Sequence, residues 1–349
     1  MKPVIVDKIA SVAASCDLDR EVRVSGDIPC EEGVVVAVEV LTNKANYNKL
    51  ELTSGRMAQV KAGDIVVGAL GHHHALFGYS GHLPKSLKPD DTVNILNLGG
   101  VIGICDSVTP DRGSPFECRV LGTVLHFPYL GERIGHPARV GFHTLDYGAL
   151  LAGSSAPVIA LAGTCMDSGK TAAACAIISR LVHRGLRVAA FKATGVSLRR
   201  DILAMEDSGA FETSIFTDFG VVTTTPDNGP ALTRALLNRL WAAKPDVIVF
   251  ELGDGLLGAY GVQAILSAPD IRDALDAVVL CANDPVAAWG GVALLRDRFG
   301  IEPAAVTGRA TDNAVGSDMI VEQLNVPACN ALTQETQLGG VVMDKVFGQ

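Results

Sequence analysis

The sequence predicts an α/β protein of two domains, a β-rich, barrel-like domain over residues 1–153 and a domain over 154–349 built on a parallel sheet. Three observations carry this. A length of 349 residues is what two domains of about 100–200 residues need. The first part is filled by short β-type runs between turn residues, EGVVVAVEVLT, GDIVVGALG, DTVNILNLGGVIGIC and CRVLGTVLHF, with few long helical patterns. From Ala156 the rhythm changes to apolar strand, glycine turn, long helix and apolar strand again, the alternation of a parallel α/β sheet.

Composition narrows the function classes. Hydrophobic residues make up 48% and charged residues 19%, which excludes general disorder. The 37 glycines follow no three-residue period, so the chain is not collagen-like. Lys and Arg total 29 against 38 acids, a formal charge of −9, which argues against nucleic acid or an anionic membrane as the main partner. Neither part is basic, with 14 basic and 17 acidic residues up to residue 150 and 15 and 21 after it. The N-terminal stretch MKPVIVDKIASVAASCDLD lacks a secretory pattern, and no run reaches the roughly 18 apolar residues of a membrane span. The expected location is therefore the cytoplasm. Eight scattered cysteines without a C-x-x-C pair read as small buried hydrophobes rather than zinc ligands.

Taken in chain order, the first distinctive run is LGHHHALFGYSGHLP, with His72, His73, His74 and His82. Alternation along a strand lets His72 and His74 share a face, so with His82 they could make a three-ligand zinc site. The alternatives are a histidine-rich rim of the barrel, which is preferred, or an anion site completed by Arg112 or Arg133. The paired glycines of NLGGVIG, Asn97 to Gly103, mark either a close backbone approach or a bulge, and the bulge is preferred. The small, polar, proline-ended LLAGSSAP places the domain boundary near Ser154, after seven of the eight histidines.

In the second part the expected strands are 157–163, 187–193, 246–253, 277–283 and 303–308, apolar enough to be covered on both faces. Between the first two, KTAAACAIISRLVHRG has helical apolar spacing and a glycine stop. The most informative stretch, GTCMDSGKT from Gly163 to Thr171, lies between the first strand and this helix. A glycine-rich turn there lets successive backbone amides face a polyphosphate at a helix N-terminus. Lys170 would neutralise the β- and γ-phosphates and Thr171 would ligate magnesium. Gly163 and Gly169 enclose five residues, one more than the standard G-x-x-x-x-G-K-[ST].

GTCMDSGKT resembles the longer phosphate loop of dethiobiotin synthetase and the related cobyrinic-acid amidation enzymes. Within the same resemblance, RVAAFKATG is similar to a strand ending in a lysine that faces nucleotide and substrate, RRDILAM to a segment with a magnesium-binding aspartate, and VIVFELGDG to a strand end with a metal-binding glutamate. The resemblance spans residues 157–285 and implies Lys192, Asp201 and Glu251 as partners of Lys170 and Thr171. A second resemblance, closer in layout, is to a P-loop family of unknown function that includes D-glutamate N-acetyltransferases. It rests on the loop, FKATGVS, the pair Asp218-Phe219 and FELGDGLLGAYGV. That family reads EGQG where Leu252 and Asp254 stand here, and the β-rich part matches neither family.

Physical reasoning reaches the same residues. Carboxylates that hold a Mg-nucleotide sit at the carboxyl ends of strands beside the loop, where Glu251 stands, with Asp254 as an alternative. Asp201 could instead lie on the solvated face of an amphipathic helix. Lys192 could be a structural ion-pair partner, since an unpaired buried lysine is costly. Asp218 is a reserve metal ligand. Asn283 and Asp284 follow a strand end and could read a base, or could form an ordinary turn before Pro285. Asp167 beside phosphates would have to turn outward or hold a substrate amine. Cys165 is a nucleophile only if it is exposed.

Two ATPase and GTPase classes are disfavoured. The early loop positions Thr164, Cys165 and Met166 lack the second lysine of filament and partitioning ATPases, and no N-K-x-D base-reading motif is present. The predicted nucleotide-binding set is Gly163, Thr164, Asp167, Ser168, Gly169, Lys170, Thr171 and Asn283. The predicted metal ligands are Thr171, Asp201 and Glu251, and the catalytic residues Lys170, Lys192 and Glu251. Together they imply an ATP- and Mg2+-dependent ligase, synthetase or phosphotransferase, a transferase in the last case, that activates a small carboxylate or carbamate; the expected partners are a small-molecule substrate, a carboxylate or amino acid, and a second copy of the chain in a homodimer. One alternative is an N-acyltransferase using acetyl-CoA on a small amino acid; another is a nucleotide-responsive binding protein.

Overall fold

A computed structural model describes residues 1–129, 134–153 and 155–348; Arg133 and Ser154 lie outside the described residues. The chain forms two compact units. One is Met1–Thr144 with Val196–Arg200 and Phe216–Thr223, the other Leu145–Gly195, Asp201–Ile215 and Thr224–Gln349. The first unit thus takes back two short segments of chain that lie beyond residue 154.

The first unit is built on an 11-stranded sheet. Five of its strands close on themselves. Phe116–His126 pairs antiparallel with Val35–Val40, which pairs antiparallel with Ile65–Leu70. That strand runs parallel to Val101–Val108, which pairs with Thr92–Ile95, and Thr92–Ile95 returns to Phe116–His126. Closure removes the sheet edges and makes this the barrel that the short β runs predicted. Its core includes the buried Val35, Val36, Val38, Val67, Ile102 and Val120. Strands Tyr79–His82 and His73–His74 extend outward from Val101–Val108.

NLGGVIG does not bulge. Asn97–Gly100 is a turn between two antiparallel strands in unbroken register, closed by the Leu96 N–H donating to the Val101 carbonyl at 2.8 Å. Its glycines mark close approaches instead. A Cβ on Gly99 would lie 2.1 Å from the Ser197 carbonyl oxygen, and one on Gly100 2.1 Å from the Ala10 Cβ.

The second unit is a six-stranded parallel sheet: β1 (Val158–Gly163), β2 (Val188–Thr194), β3 (Glu212–Ile215), β4 (Val247–Leu252), β5 (Ala277–Cys281) and β6 (Ala305–Thr307), in spatial order β3-β2-β4-β1-β5-β6. Every residue of β1, β2, β4, β5 and β6 is buried, as expected of strands covered on both faces. β3 was not expected; at four residues, two of them half-buried polar, it carries little apolar signal. The helices include α1 (Lys170–His183), α2 (Arg200–Asp207), α3 (Gly229–Ala242), α4 (Val262–Ser267), α5 (Pro269–Asp273), α6 (Pro285–Phe299), α7 (Ala314–Leu324) and α8 (Glu335–Phe347). On α1, Ala173, Ala174, Ile177, Ile178 and Leu181 form the buried stripe against the sheet.

All eight cysteines are free. Only Cys118, Cys281 and Cys329 are fully buried, so the expectation of general burial holds for three and the other five are half-buried. Among the described residues no helix is long and apolar enough to cross a membrane.

Candidate functional site

The loop predicted to hold phosphate joins β1 to α1. Gly169 precedes α1 with φ +94°, and no side chain caps the helix, so the first backbone N–H groups of α1 keep their donors and the helix dipole faces the loop. Asp167 stands exposed at φ +58°, turned outward as its charge requires. Ser168 is fully buried.

Lys170 folds back over the loop. Its Nζ donates to the Asp254 carbonyl at 2.6 Å and the Cys165 carbonyl at 2.9 Å, with Ser168 Oγ at 3.4 Å. The backbone after β4 closes against the loop: the Leu256 N–H donates to the Gly163 carbonyl at 2.8 Å. Sequence reasoning offered Asp254 as a ligand, whereas its carbonyl is the group that meets Lys170. Gly308, at the end of β6, packs as closely, since a Cβ there would lie 2.4 Å from the Ser168 carbonyl oxygen.

Thr171, Asp201 and Glu251 converge. The Thr171 hydroxyl donates to Glu251 Oε2 at 2.8 Å and lies 3.4 Å from Asp201 Oδ1. Register explains the rest, because Lys192 on β2 and Leu161 on β1 both lie beside Glu251 on β4. Lys192 pairs with Asp201, and both are nearly buried; Asp201 is therefore on the inner side of α2, not on a solvated face. Burial pushes the Glu251 carboxyl above the ordinary carboxylate range, the neighbouring Asp201 charge pushes it further, and Lys192 and Lys170 oppose the shift.

This donor set fits a magnesium ion. Two buried carboxylates and a hydroxyl are hard oxygen ligands, and a divalent cation would relieve the repulsion between Asp201 and Glu251. Among the described residues no group of three or more His, Cys, Asp and Glu side chains is placed to hold a metal. A cation here would thus take the rest of its shell from water and phosphate, as Mg2+ commonly does.

Beside the loop, a cavity of about 430 Å³ is lined by residues that include Asn283, Asp284, Arg309, Asn313 and Met319. The Asn283 amide donates to Cys165 Sγ at 3.0 Å, while its Oδ1 is buried with no partner among the described residues. Asp284 and Asn313 are committed elsewhere: each caps a helix, α6 through Ala287 N–H at 2.8 Å and α7 through Gly316 N–H at 3.1 Å. Arg309 was not singled out from sequence, and no pattern there marks it.

The other candidates belong to the barrel unit. Asp218 lies in a short 3-10 turn of that unit, where its carbonyl accepts from the Phe142 and His143 amides. His72 and His74 stack at 5.6 Å, and His82 bonds Asp106 at 2.8 Å with both half exposed. The zinc alternative is not met: among the described residues no metal-holding group of three forms, and the ring Nδ1 of His72 accepts the Leu83 N–H at 3.3 Å. His73 is buried instead.

Comparison with known proteins finds no matching family model and no matching curated protein. Solved structures do match in part. The signal recognition particle receptor FtsY from Elizabethkingia anophelis is 16% identical, with a TM-score of 0.41 over 56% of this chain and 67% of that one. A duf1611 family protein from Anabaena variabilis is 14% identical, with a TM-score of 0.39 over 59% of this chain and 63% of that one. FtsY from Thermotoga maritima is 14% identical, with a TM-score of 0.38 over 58% of this chain and 73% of that one.

Proposed function

We propose that the α/β unit binds a Mg-nucleoside triphosphate, ATP in the reading preferred here, and transfers its γ-phosphoryl group to a small carboxylate or carbamate. The observation that supports this is the convergence of Lys170, Thr171, Lys192, Asp201 and Glu251 at the end of the sheet, beside the uncapped N-terminus of α1. A lone strand-turn-helix would not need two acids and two lysines buried beside it.

Each residue then has a task. The amides of Ser168 to Thr171 and the start of α1 cradle the β- and γ-phosphates. Lys170 exchanges its carbonyl partners for phosphate oxygens and stabilises the charge that shifts to the β-phosphate as the bond breaks. Thr171, Asp201 and Glu251 would hold the cation, which supplies charge neutralisation across the β- and γ-phosphates. Lys192, bonded to Asp201, stands where it can bridge phosphate and acceptor. A carboxylate oxygen of the acceptor attacks the γ-phosphorus in line, the bond to the bridging β,γ-oxygen breaks, and the nucleoside diphosphate leaves. An amine then attacks the acyl phosphate and expels inorganic phosphate. The cavity lined by Asn283 accommodates the base, with its orphaned Oδ1 available to an exocyclic amino group.

The test is phosphate release from ATP across a panel of small acids. Turnover is expected with at least one acid and lost in Lys170→Ala; undiminished turnover in that variant overturns the assignment. Acetyl-CoA consumption without nucleotide dependence would replace it by acyl transfer.

A further inference from the structure

The loop that carries Asp201 is anchored in the barrel unit. It leaves β2 after Lys192 and returns at Asp201, and these two end residues form an ion pair. Between them, Val196–Arg200 belongs to the barrel unit. Within that unit the segment is held by the Ser197 N–H donating to the Val222 carbonyl at 2.9 Å, by the Thr217 hydroxyl on the Ser197 hydroxyl at 3.0 Å, and by contacts to Glu51, Asn97 and Gly99. Glu51, fully buried, accepts the Arg199 backbone N–H at 2.8 Å and also the Ser11 hydroxyl. Asn97 donates to the Ser197 carbonyl at 2.8 Å while its own oxygen accepts the Val101 N–H at 2.9 Å, so its orientation is fixed from both ends. Gly99 leaves the space that the Ser197 carbonyl occupies.

Burying a carboxylate and a carboxamide is expensive unless each is satisfied. Glu51 Oε1 nonetheless has no partner among the described residues. That cost serves two backbone groups that lie two and four residues before Asp201.

We infer that Glu51, with Asn97 and Gly99, is a positioning device: by fixing the backbone of residues 197–199 it sets where α2 begins and hence where the Asp201 carboxylate stands. This rests on the reading of Thr171, Asp201 and Glu251 as the cation site. It gives the NLGG motif a role.

The experiment measures the affinity of the full chain for methylanthraniloyl-ATP by fluorescence, with Mg2+ and with EDTA, and amide hydrogen exchange of the ligand-free protein. Glu51→Ala and Gly99→Ala are expected to lose at least tenfold of the Mg2+-dependent gain in affinity, with EDTA binding unchanged and faster exchange over 197–201. Glu51→Gln, which keeps an oxygen for the Arg199 N–H, is expected to recover most of the gain. Wild-type Mg2+ dependence in Glu51→Ala despite faster exchange overturns the inference, as does unchanged exchange in both Glu51→Ala and Gly99→Ala. Asp201→Asn separates the levels. If it also keeps the full Mg2+ gain, the cation-site reading fails along with the inference; if it loses the gain while Glu51→Ala does not, only the inference fails. Should Glu51→Ala not fold, Gly99→Ala and Asn97→Ala carry the same comparison.

Discussion

Lys192 and Asp201 form an ion pair in which each side chain is only 10% exposed. Nine residues apart in sequence, they meet because β2 ends beside the start of α2, and the Glu251 carboxylate lies against the same pair. The pair therefore counts both for folding and for the proposed chemistry.

Removing one partner strands the other charge in a poorly solvated site, beside a second acid. Lys192→Met is expected to destabilise the protein by about 3 kcal/mol, read from urea unfolding. Lys192→Met with Asp201→Leu should recover most of that loss, since no lone charge remains. A single variant as stable as wild type would show that the pair is not buried in solution.

Gly308 has φ +94°, and a Cβ there would press on the Ser168 and Ala282 carbonyl oxygens at 2.4 and 2.7 Å. Gly308→Ala must therefore both strain its backbone and displace the loop before α1. A loss of about 2 kcal/mol is expected, with weaker nucleotide binding in the same variant. Unchanged affinity would mean that the loop is not held from this side.

Thr171→Val removes the hydroxyl that joins Glu251 to the loop and keeps its volume. The Mg2+ concentration needed for half-maximal nucleotide binding should rise about 10- to 100-fold, with little change in EDTA. An unaltered Mg2+ titration would exclude Thr171 as a ligand.

His73 supplies a pH dependence. Burial pushes its imidazole down to about 4 from an ordinary 6.5, so the unfolded chain binds a proton that the folded chain refuses between these values. Its contribution is complete above pH 6.5 and is lost as pH falls toward 4, by up to about 3 kcal/mol. Unfolding free energies of wild type and His73→Phe between pH 4 and 7 should differ in slope with this sign. Parallel profiles would refute it.

Much of the α/β unit was legible because its signals are local. Apolar runs fully covered by helices, a glycine-rich turn and an amphipathic helix follow one another in sequence, so β1, α1, β2, β4, β5 and β6 and the loop between Gly163 and Thr171 could be placed without a fold. Glu251 was legible for the same reason, standing at the end of DVIVF. β3 was not, since four half-polar residues carry no periodicity, and the glycine pair of NLGG gave no sign of which backbone would approach it.

The residue pattern by itself determined the fold class, the position of the glycine-rich loop before α1 and the residue types around it, because backbone propensity and hydrophobic periodicity act over neighbouring residues. Only the tertiary structure decided which five β runs close the barrel and in what order, that Asp201 turns inward to Lys192 and Thr171, and that Glu51 holds the Arg199 amide 148 residues away. Those outcomes depend on strand register and on which buried polar groups find partners. Such quantities belong to pairs of residues distant in sequence, so no local pattern encodes them.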